Sequence, residues 1–330
     1  MPFYEGRKVL VTGGTGMIGS HLAEMLVDQG AKVRVTEFNT PAEKVFSSDY
    51  LKKLEVVKAD LRNFKECEDS VKGMEYVFHL ATRLTGVIGN LERPVEMFTP
   101  NVIMQTNMIE AAHRENIERY LYQSSACIYS SDCEAPYREE DGMTGLPDKN
   151  NEAYAWMKRM GEQTAIFYHR EYGMKIGISR PFNTFGPRDN FGKDSAHVIA
   201  SLIMRAESRE NPFSIWGSPD TTREFVYVTD TARGIMRILE KHAKADPINI
   251  ATGREFTIKE LSDTILRASG FLDARVVFDK SKPHGQTRRC GSTEKMRRIL
   301  DFEPEVGLEE GIDRTVKWYR SNSDRLKEYD

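Results

Sequence analysis

The run Lys8-Val9-Leu10-Val11-Thr12-Gly13-Gly14-Thr15-Gly16-Met17-Ile18-Gly19-Ser20-His21-Leu22 joins an apolar strand, a glycine turn and a helix start. Lys8 to Val11 reads as a buried strand, and Leu22, Met25 and Leu26 recur at helical spacing. That context is what a dinucleotide fingerprint requires. Gly13 permits the tight turn, Gly16 lets the backbone approach a pyrophosphate, and Gly19 lets the helix pack close on the strand. Free N–H groups at Met17 and Ile18 would receive the phosphates at the helix N-terminus. The next strand pattern, Ala31 to Thr36, runs into Glu37, eighteen positions after Gly19. An acid there accepts hydrogen bonds from both adenosine ribose hydroxyls and repels a 2′-phosphate, so NAD rather than NADP is expected.

Strand and helix patterns alternate onward from that turn. Leu54–Lys58, Glu75–Leu80, Arg119–Gln123 and Lys175–Arg180 read as strands; Pro94–Asn116 and Asn151–Tyr172 read as long helices. The expected fold class is α/β, a doubly wound parallel sheet with right-handed crossovers and a smaller C-terminal α/β substrate lobe. Ligands then gather at the carboxyl ends of the strands. Asp60 and Leu61 end the third strand, and Leu80 and Ala81 end the fourth, so all four are cofactor candidates. Asp60 suits the adenine amino group or serves as a turn acid. Past Pro181, the stretch 181–194 is rich in Gly, Pro and Asn and reads as a functional loop. Arg223 to Thr229 looks like a strand returning to the main sheet. The expected division is 1–182 for the dinucleotide domain, with 225–251 returning to it, and 183–224 with 252–330 for the substrate lobe.

Composition narrows the class. The 330 residues exceed one small domain, and 39% hydrophobic with 29% charged residues is ordinary globular composition. A net charge of −3 argues against broad nucleic-acid or anionic-membrane binding. No apolar run approaches membrane-spanning length, and residues 1–8 are not a signal peptide, so a cytoplasmic location is expected. The four cysteines show no metal spacing, and no metal site is expected. The basic run Lys295 to Arg298 reads as a solvated helix face.

Tyr154 and Lys158 stand four apart and share a helix face. A nearby cation favours a phenolate, so the pair suits deprotonation of a substrate hydroxyl, with Lys158 also holding the nicotinamide ribose. Ser125, at the end of the fifth strand, would hydrogen-bond the same reacting oxygen. Cys127 is two residues further on. It is either a small buried thiol or, near a cation, a base. Lys193 and His197 are four apart and share a face if their loop turns helical. Otherwise they are a solvated loop lysine and a helix-start histidine. Arg223 and Arg289 are diphosphate candidates because forked guanidinium donors suit phosphate oxygens. Trp216 would face the sugar or base, or belong to the core.

Together TGGTGMIGSHL, Glu37, SSACIYS, YAWMK, RPFNTFGPRDNF and REFVYVTD resemble the extended short-chain dehydrogenase/reductase family, and within it the NAD-dependent nucleotide-sugar epimerase/dehydratase group. The resemblance implies a Rossmann domain, a nucleotide-sugar lobe, and a homodimer built on helices 94–116 and 151–172. It also implies an Asn183 contact to diphosphate or sugar. Two branches lie nearest. Ser125-Ala126-Cys127-Ile128-Tyr129 is similar to the GDP-mannose 3,5-epimerases, where a cysteine at the position of Cys127 and a lysine matching Lys193 exchange protons at sugar carbons. The GDP-fucose synthases have a related cysteine, a histidine in a segment resembling Ser195 to Ile199, and an arginine matching Arg205. His197 departs from the first branch and Glu37 from the second.

The expectation is therefore an NAD-dependent nucleotide-sugar epimerase. Tyr154 and Lys158 support transient oxidation at C4, and Cys127 with Lys193 or His197 exchanges protons at C3 or C5. The alternatives are a simple UDP-sugar 4-epimerase and an NAD(P)H-dependent 4-keto-6-deoxy sugar epimerase/reductase. A 4,6-dehydratase would place an Asp-Glu pair where Ala126-Cys127 stands. A non-catalytic dinucleotide sensor would have no use for Ser125, Tyr154 and Lys158 together.

Overall fold

The computed structural model describes residues 2–192, 196–279 and 287–326. Seven parallel strands form the main sheet. In chain order they are β1 (Lys8–Thr12), β2 (Lys32–Glu37), β3 (Leu54–Lys58), β4 (Tyr76–His79), β5 (Arg119–Gln123), β6 (Ile176–Pro181) and a last strand, Ile248–Ile250. Their spatial order is Ile248–Ile250, β6, β5, β4, β1, β2, β3. The order reverses between β1 and β4, where Val9 pairs with Tyr76 and Thr12 with His79. That reversal opens a crevice at the strands' carboxyl ends, directly above the glycine turn. Val9, Val11, Val33, Val35 and Phe78 are fully or almost fully buried, as helices on both faces of the sheet demand.

The long helices Pro94–Arg114 and Glu152–Tyr172 pack against each other on one face of the sheet. Gln105 ties them: its Nε2 donates to the Met157 carbonyl at 3.0 Å, and its Oε1 accepts from the Tyr122 hydroxyl at 2.8 Å. Helix Met17–Asp28 (α1) and helix Val228–Lys241 cover the other face.

One expected strand is corrected. Arg223 to Thr229 does not join the main sheet. Val226–Tyr227 pairs with Thr184–Phe185, Thr222–Arg223 pairs antiparallel with Phe256–Thr257, and Val228 already opens a helix. The segment's β-rich composition hid a helix whose apolar positions follow a 3.6-residue period further on, at Ile235, Ile238 and Leu239. Beyond β6 a second apolar cluster gathers Phe185, Ile199, Ile203, Phe213, Leu261, Ile265 and Ile312. It lies beside the crevice and carries the loops that face the cofactor edge. Among the described residues, no helix is long and apolar enough to cross a membrane.

Candidate active site

The glycine turn has the form the sequence implies. Gly13 has φ +65°, and a Cβ there would lie 2.9 Å from Ala81 Cα, so β1 and β4 can end side by side only with glycine at this point. A Cβ on Gly19 would sit 2.2 Å from the Gly13 carbonyl oxygen, which forbids any side chain where α1 crosses the turn. Gly16 is the N-cap and contributes no side-chain cap, leaving the first turn of α1 to be satisfied from outside. The space above Gly16 is open, since a Cβ there would meet only the Gly13 carbonyl. This cradle fits a dinucleotide pyrophosphate, with Met17 and Ile18 opening the helix.

Glu37 closes β2. Its Oε2 accepts from the Ala42 N–H at 2.7 Å, which holds the carboxylate across the strand end with its other oxygen available to a ribose. Asp60 is engaged locally: Arg62 donates through Nε to Oδ1 at 2.8 Å and binds Oδ2 at 2.5 Å. That pairing favours the turn-acid role. Leu61 is buried behind it, and the N–H groups of Leu80 and Ala81 both donate to Thr12 Oγ1 at 3.2 Å. Thr12, Thr36 and Thr82 were not singled out by sequence. Thr36 Oγ1 accepts from the Gly13 N–H at 3.1 Å and so fixes the turn.

The chemistry is built at the end of β5 and on the facing helix. Ser125 caps a short helical turn, Ala126–Ile128, accepting the Cys127 N–H at 3.2 Å, and its hydroxyl is hydrogen-bonded to Tyr154. Lys158 Nζ donates to the Gln123 carbonyl at 2.7 Å and to Thr82 Oγ1 at 3.2 Å, 5.7 Å from the centroid of the Tyr154 ring.

The electrostatics correct the expected phenolate. Burial raises the Tyr154 hydroxyl well above its ordinary value, and the Cys127 charge adds to this; the Ser125 hydrogen bond and Arg289 oppose it only in part. Burial also lowers Lys158 to about 7, against smaller upward pulls from Cys127 and Glu162. Desolvation outweighs the helical pairing, so in the free protein the phenol is neutral and the lysine is poised near neutrality.

Cys127 is half-buried. Its thiol lies within electrostatic reach of Tyr154, Lys158, His197 and Arg289. His197 is the extended N-cap of helix Val198–Glu207, and its Nδ1 is 2.8 Å from Asp189 Oδ1. Lys193 lies outside the described residues.

The substrate candidates divide. Arg223 is half-buried beside Arg289 and Tyr137. Burial and the Arg289 charge lower its pKa to about 10, with Tyr137 and Asp148 pulling the other way. Asn183 is exposed at the edge of the crevice and donates to the Glu224 carbonyl at 2.7 Å. Trp216 ends the strand Phe213–Trp216 and is 55% exposed, which removes the core alternative. Arg205 is tied into a bidentate pair with Glu210 at 2.6 and 2.8 Å. Glu224, not anticipated from sequence, is fully buried; it accepts the Gly291 N–H at 2.7 Å and the Gly253 N–H at 2.6 Å. It thereby fixes the two segments that carry Arg223 and Arg289.

Comparison with known proteins places the chain by family and fold. Residues 9–251 match the model of the NAD dependent epimerase/dehydratase family. A GDP-L-fucose synthase of Sinorhizobium fredii is 31% identical, over 98% of this chain and 99% of that one. An epimerase structure from Methanothermobacter thermautotrophicus superposes with TM-score 0.88 at 30% identity, covering 98% of this chain and 95% of that one. A UDP-glucose 4-epimerase of Thermotoga maritima, solved with UDP-glucose, gives TM-score 0.85 at 27% identity over 96% of this chain and 99% of its own.

Proposed function

This chain belongs to the NAD dependent epimerase/dehydratase family, as an enzyme of the NAD-dependent epimerase type, and from that premise we propose that it inverts a nucleotide-sugar carbon next to a transient C4 ketone. The observation carrying this reading is the thiol of Cys127, within electrostatic reach of Tyr154, Lys158, His197 and Arg289. A plain C4 epimerase needs only Tyr154 and Lys158 of that set, together with Ser125.

NAD, when bound, accepts a hydride from the sugar carbon and later gives it back. Tyr154 takes the proton of the C4 hydroxyl, with Ser125 bonded to the same oxygen and Lys158 supplying the charge that eases phenol ionisation. The ketone acidifies the neighbouring C–H bonds. Cys127 then removes a proton at C3 or C5, and His197 returns one from the opposite side, with Lys193 as a second candidate. Arg223 and Arg289 hold the diphosphate, with Asn183 and Trp216 at its sugar and base ends; Arg205 would first have to leave Glu210. Glu37 selects NAD.

A homodimer through the two long helices is part of the proposal. Trp156, Met160 and Phe167 form one exposed apolar face of helix 152–172, and Val95 and Ile103 add to it from helix 94–114. The second reading, a 4-keto sugar epimerase/reductase, is favoured by the GDP-L-fucose synthase relatives.

The test is incubation of the purified protein with GDP-, UDP-, CDP- and dTDP-sugars in deuterated water. Deuterium at C3 or C5 with no net NADH consumed is the expected result. Stoichiometric NADH consumption on a 4-keto sugar would establish the reductase instead. Cys127→Ser should cut exchange at least about a hundredfold while hydride transfer survives. Unchanged epimerisation in that variant would leave a plain C4 epimerase.

A further inference from the structure

His197 and Asp189 differ sharply in exposure. The histidine ring is 52% exposed, whereas the carboxylate holding it is 3% exposed. The carboxylate is fixed from its own loop, because Asp189 Oδ1 also accepts the Asn190 N–H at 2.8 Å. Its Oδ2 is buried and has no hydrogen-bond partner among the described residues. A buried carboxylate left half-satisfied costs stability, and a surface histidine needs no such holder. Two residues on, Phe191 is buried and packs on Trp318 and Tyr319 at centroid distances of 5.7 and 5.0 Å, which anchors that end of the loop.

We propose that Asp189 is the positioning residue for His197: it accepts the Nδ1–H, fixes the ring's tautomer and leaves Nε2 as the nitrogen that meets the sugar. The inference rests on the proton-exchange reading of His197 above. Among the described residues, two groups lie within reach of the ring. Asp189 comes from the loop after β6, and Cys127 from the turn after β5. The hydrogen bond and charge of Asp189 raise the imidazole above its ordinary value against the cost of burial, and Cys127 adds to the rise. The helix N-terminus at Val198 pulls the other way, and the carboxylate outweighs it. The pairing therefore favours the protonated ring, the form in which His197 acts first as an acid. When Nε2 gives its proton to the sugar carbon, the Nδ1 proton stays in the bond to Asp189 and the ring ends neutral. The same pairing orients histidines by carboxylates in other acid–base sites.

The measurement is a pH titration of the full-length protein carrying ¹⁵N-labelled histidine, followed by NMR, with His197→Gln identifying the resonance among seven histidines. In the parent protein, His197 should titrate above about 6.5, and its neutral form should carry the proton on Nδ1. Asp189→Asn should lower that midpoint by about one unit, and Asp189→Glu should recover most of it. An unchanged midpoint in Asp189→Asn overturns the inference. If Asp189→Asn does not fold, the parent's tautomer decides, and a neutral ring protonated on Nε2 overturns it. Failure of the underlying reading looks different: His197→Gln would then leave sugar deuterium exchange intact while the titration still showed the pair.

Discussion

Arg180 and Lys158 are both buried at the helix Glu152–Tyr172 and are treated in opposite ways. Arg180 is 2% exposed and faces Glu162, 0% exposed, in a two-pronged pair at 2.9 and 2.7 Å. Its remaining N–H groups donate to the Tyr129 hydroxyl at 3.0 Å and the Glu139 carbonyl at 2.6 Å. Burial alone would pull this guanidinium down, but the Glu162 charge outweighs it and the arginine ends above its ordinary value. Lys158, one turn before Glu162 and 3% exposed, has only the Gln123 carbonyl and Thr82 Oγ1. Among the described residues no carboxylate pairs with it, and burial brings it to about 7. One cation is satisfied by the fold. The other is held short of satisfaction beside Tyr154, where a hydroxyl-rich ligand can complete it. A site that binds and releases cofactor and substrate cannot be internally complete, whereas a core must be.

Lys158→Met should produce the largest effect. We expect turnover to fall at least about a thousandfold, some 4 kcal/mol of barrier, and NAD affinity to weaken. Stability should move the other way. The folded-state pKa of Lys158 lies below its unfolded value of 10.5. Below pH 7 both states are protonated and the folded state bears the full burial cost. Between pH 7 and 10.5 the folded state has released the proton and the cost declines. Methionine should thus stabilise the protein by about 1–3 kcal/mol at pH 7, after loss of the two hydrogen bonds, and the gain should vanish near pH 10. Urea unfolding at both pH values checks this, and a destabilised variant at pH 7 would break the contrast.

Glu162→Ala tests the other side. Arg180 would be left uncompensated in the core, and stability should drop by about 3–5 kcal/mol. A loss under about 1 kcal/mol would mean that Arg180 finds water or another partner, and the pair would not be structural. The smallest effect concerns Glu37, at the far end of the crevice. Isothermal titration should show NAD bound at least about tenfold more tightly than NADP, roughly 1.4 kcal/mol. Glu37→Ala should narrow that gap, and equal affinities in the parent protein would remove Glu37 as the selector.

The cofactor half was legible because its information is local. Gly13, Gly16 and Gly19 act within one turn, and Glu37 lies one strand away. The i, i+4 spacing of Tyr154 and Lys158 fixes their shared face. The long helices and the order of β1 to β6 followed from period and alternation. The segment Arg223 to Thr229 misled because a β-branched run was divided between two short strands and a helix N-terminus. Asp189 stood inside a motif already singled out, RPFNTFGPRDNF, but its partner lay eight residues on, across a bend that no period describes.

By itself, then, the sequence determined the parallel sheet, the dinucleotide cradle and the identity of the tyrosine, lysine and serine that meet at β5. These depend on neighbours within a few residues and on repeating patterns. Only the tertiary structure decided which distant groups meet Cys127, that Arg289 reaches it, that Asp189 holds His197, and that Lys158 sits near neutrality while Arg180 does not. Burial and charge proximity are properties of the packed chain: the two cations move in opposite directions from their ordinary values because one is folded against a carboxylate and the other against a carbonyl.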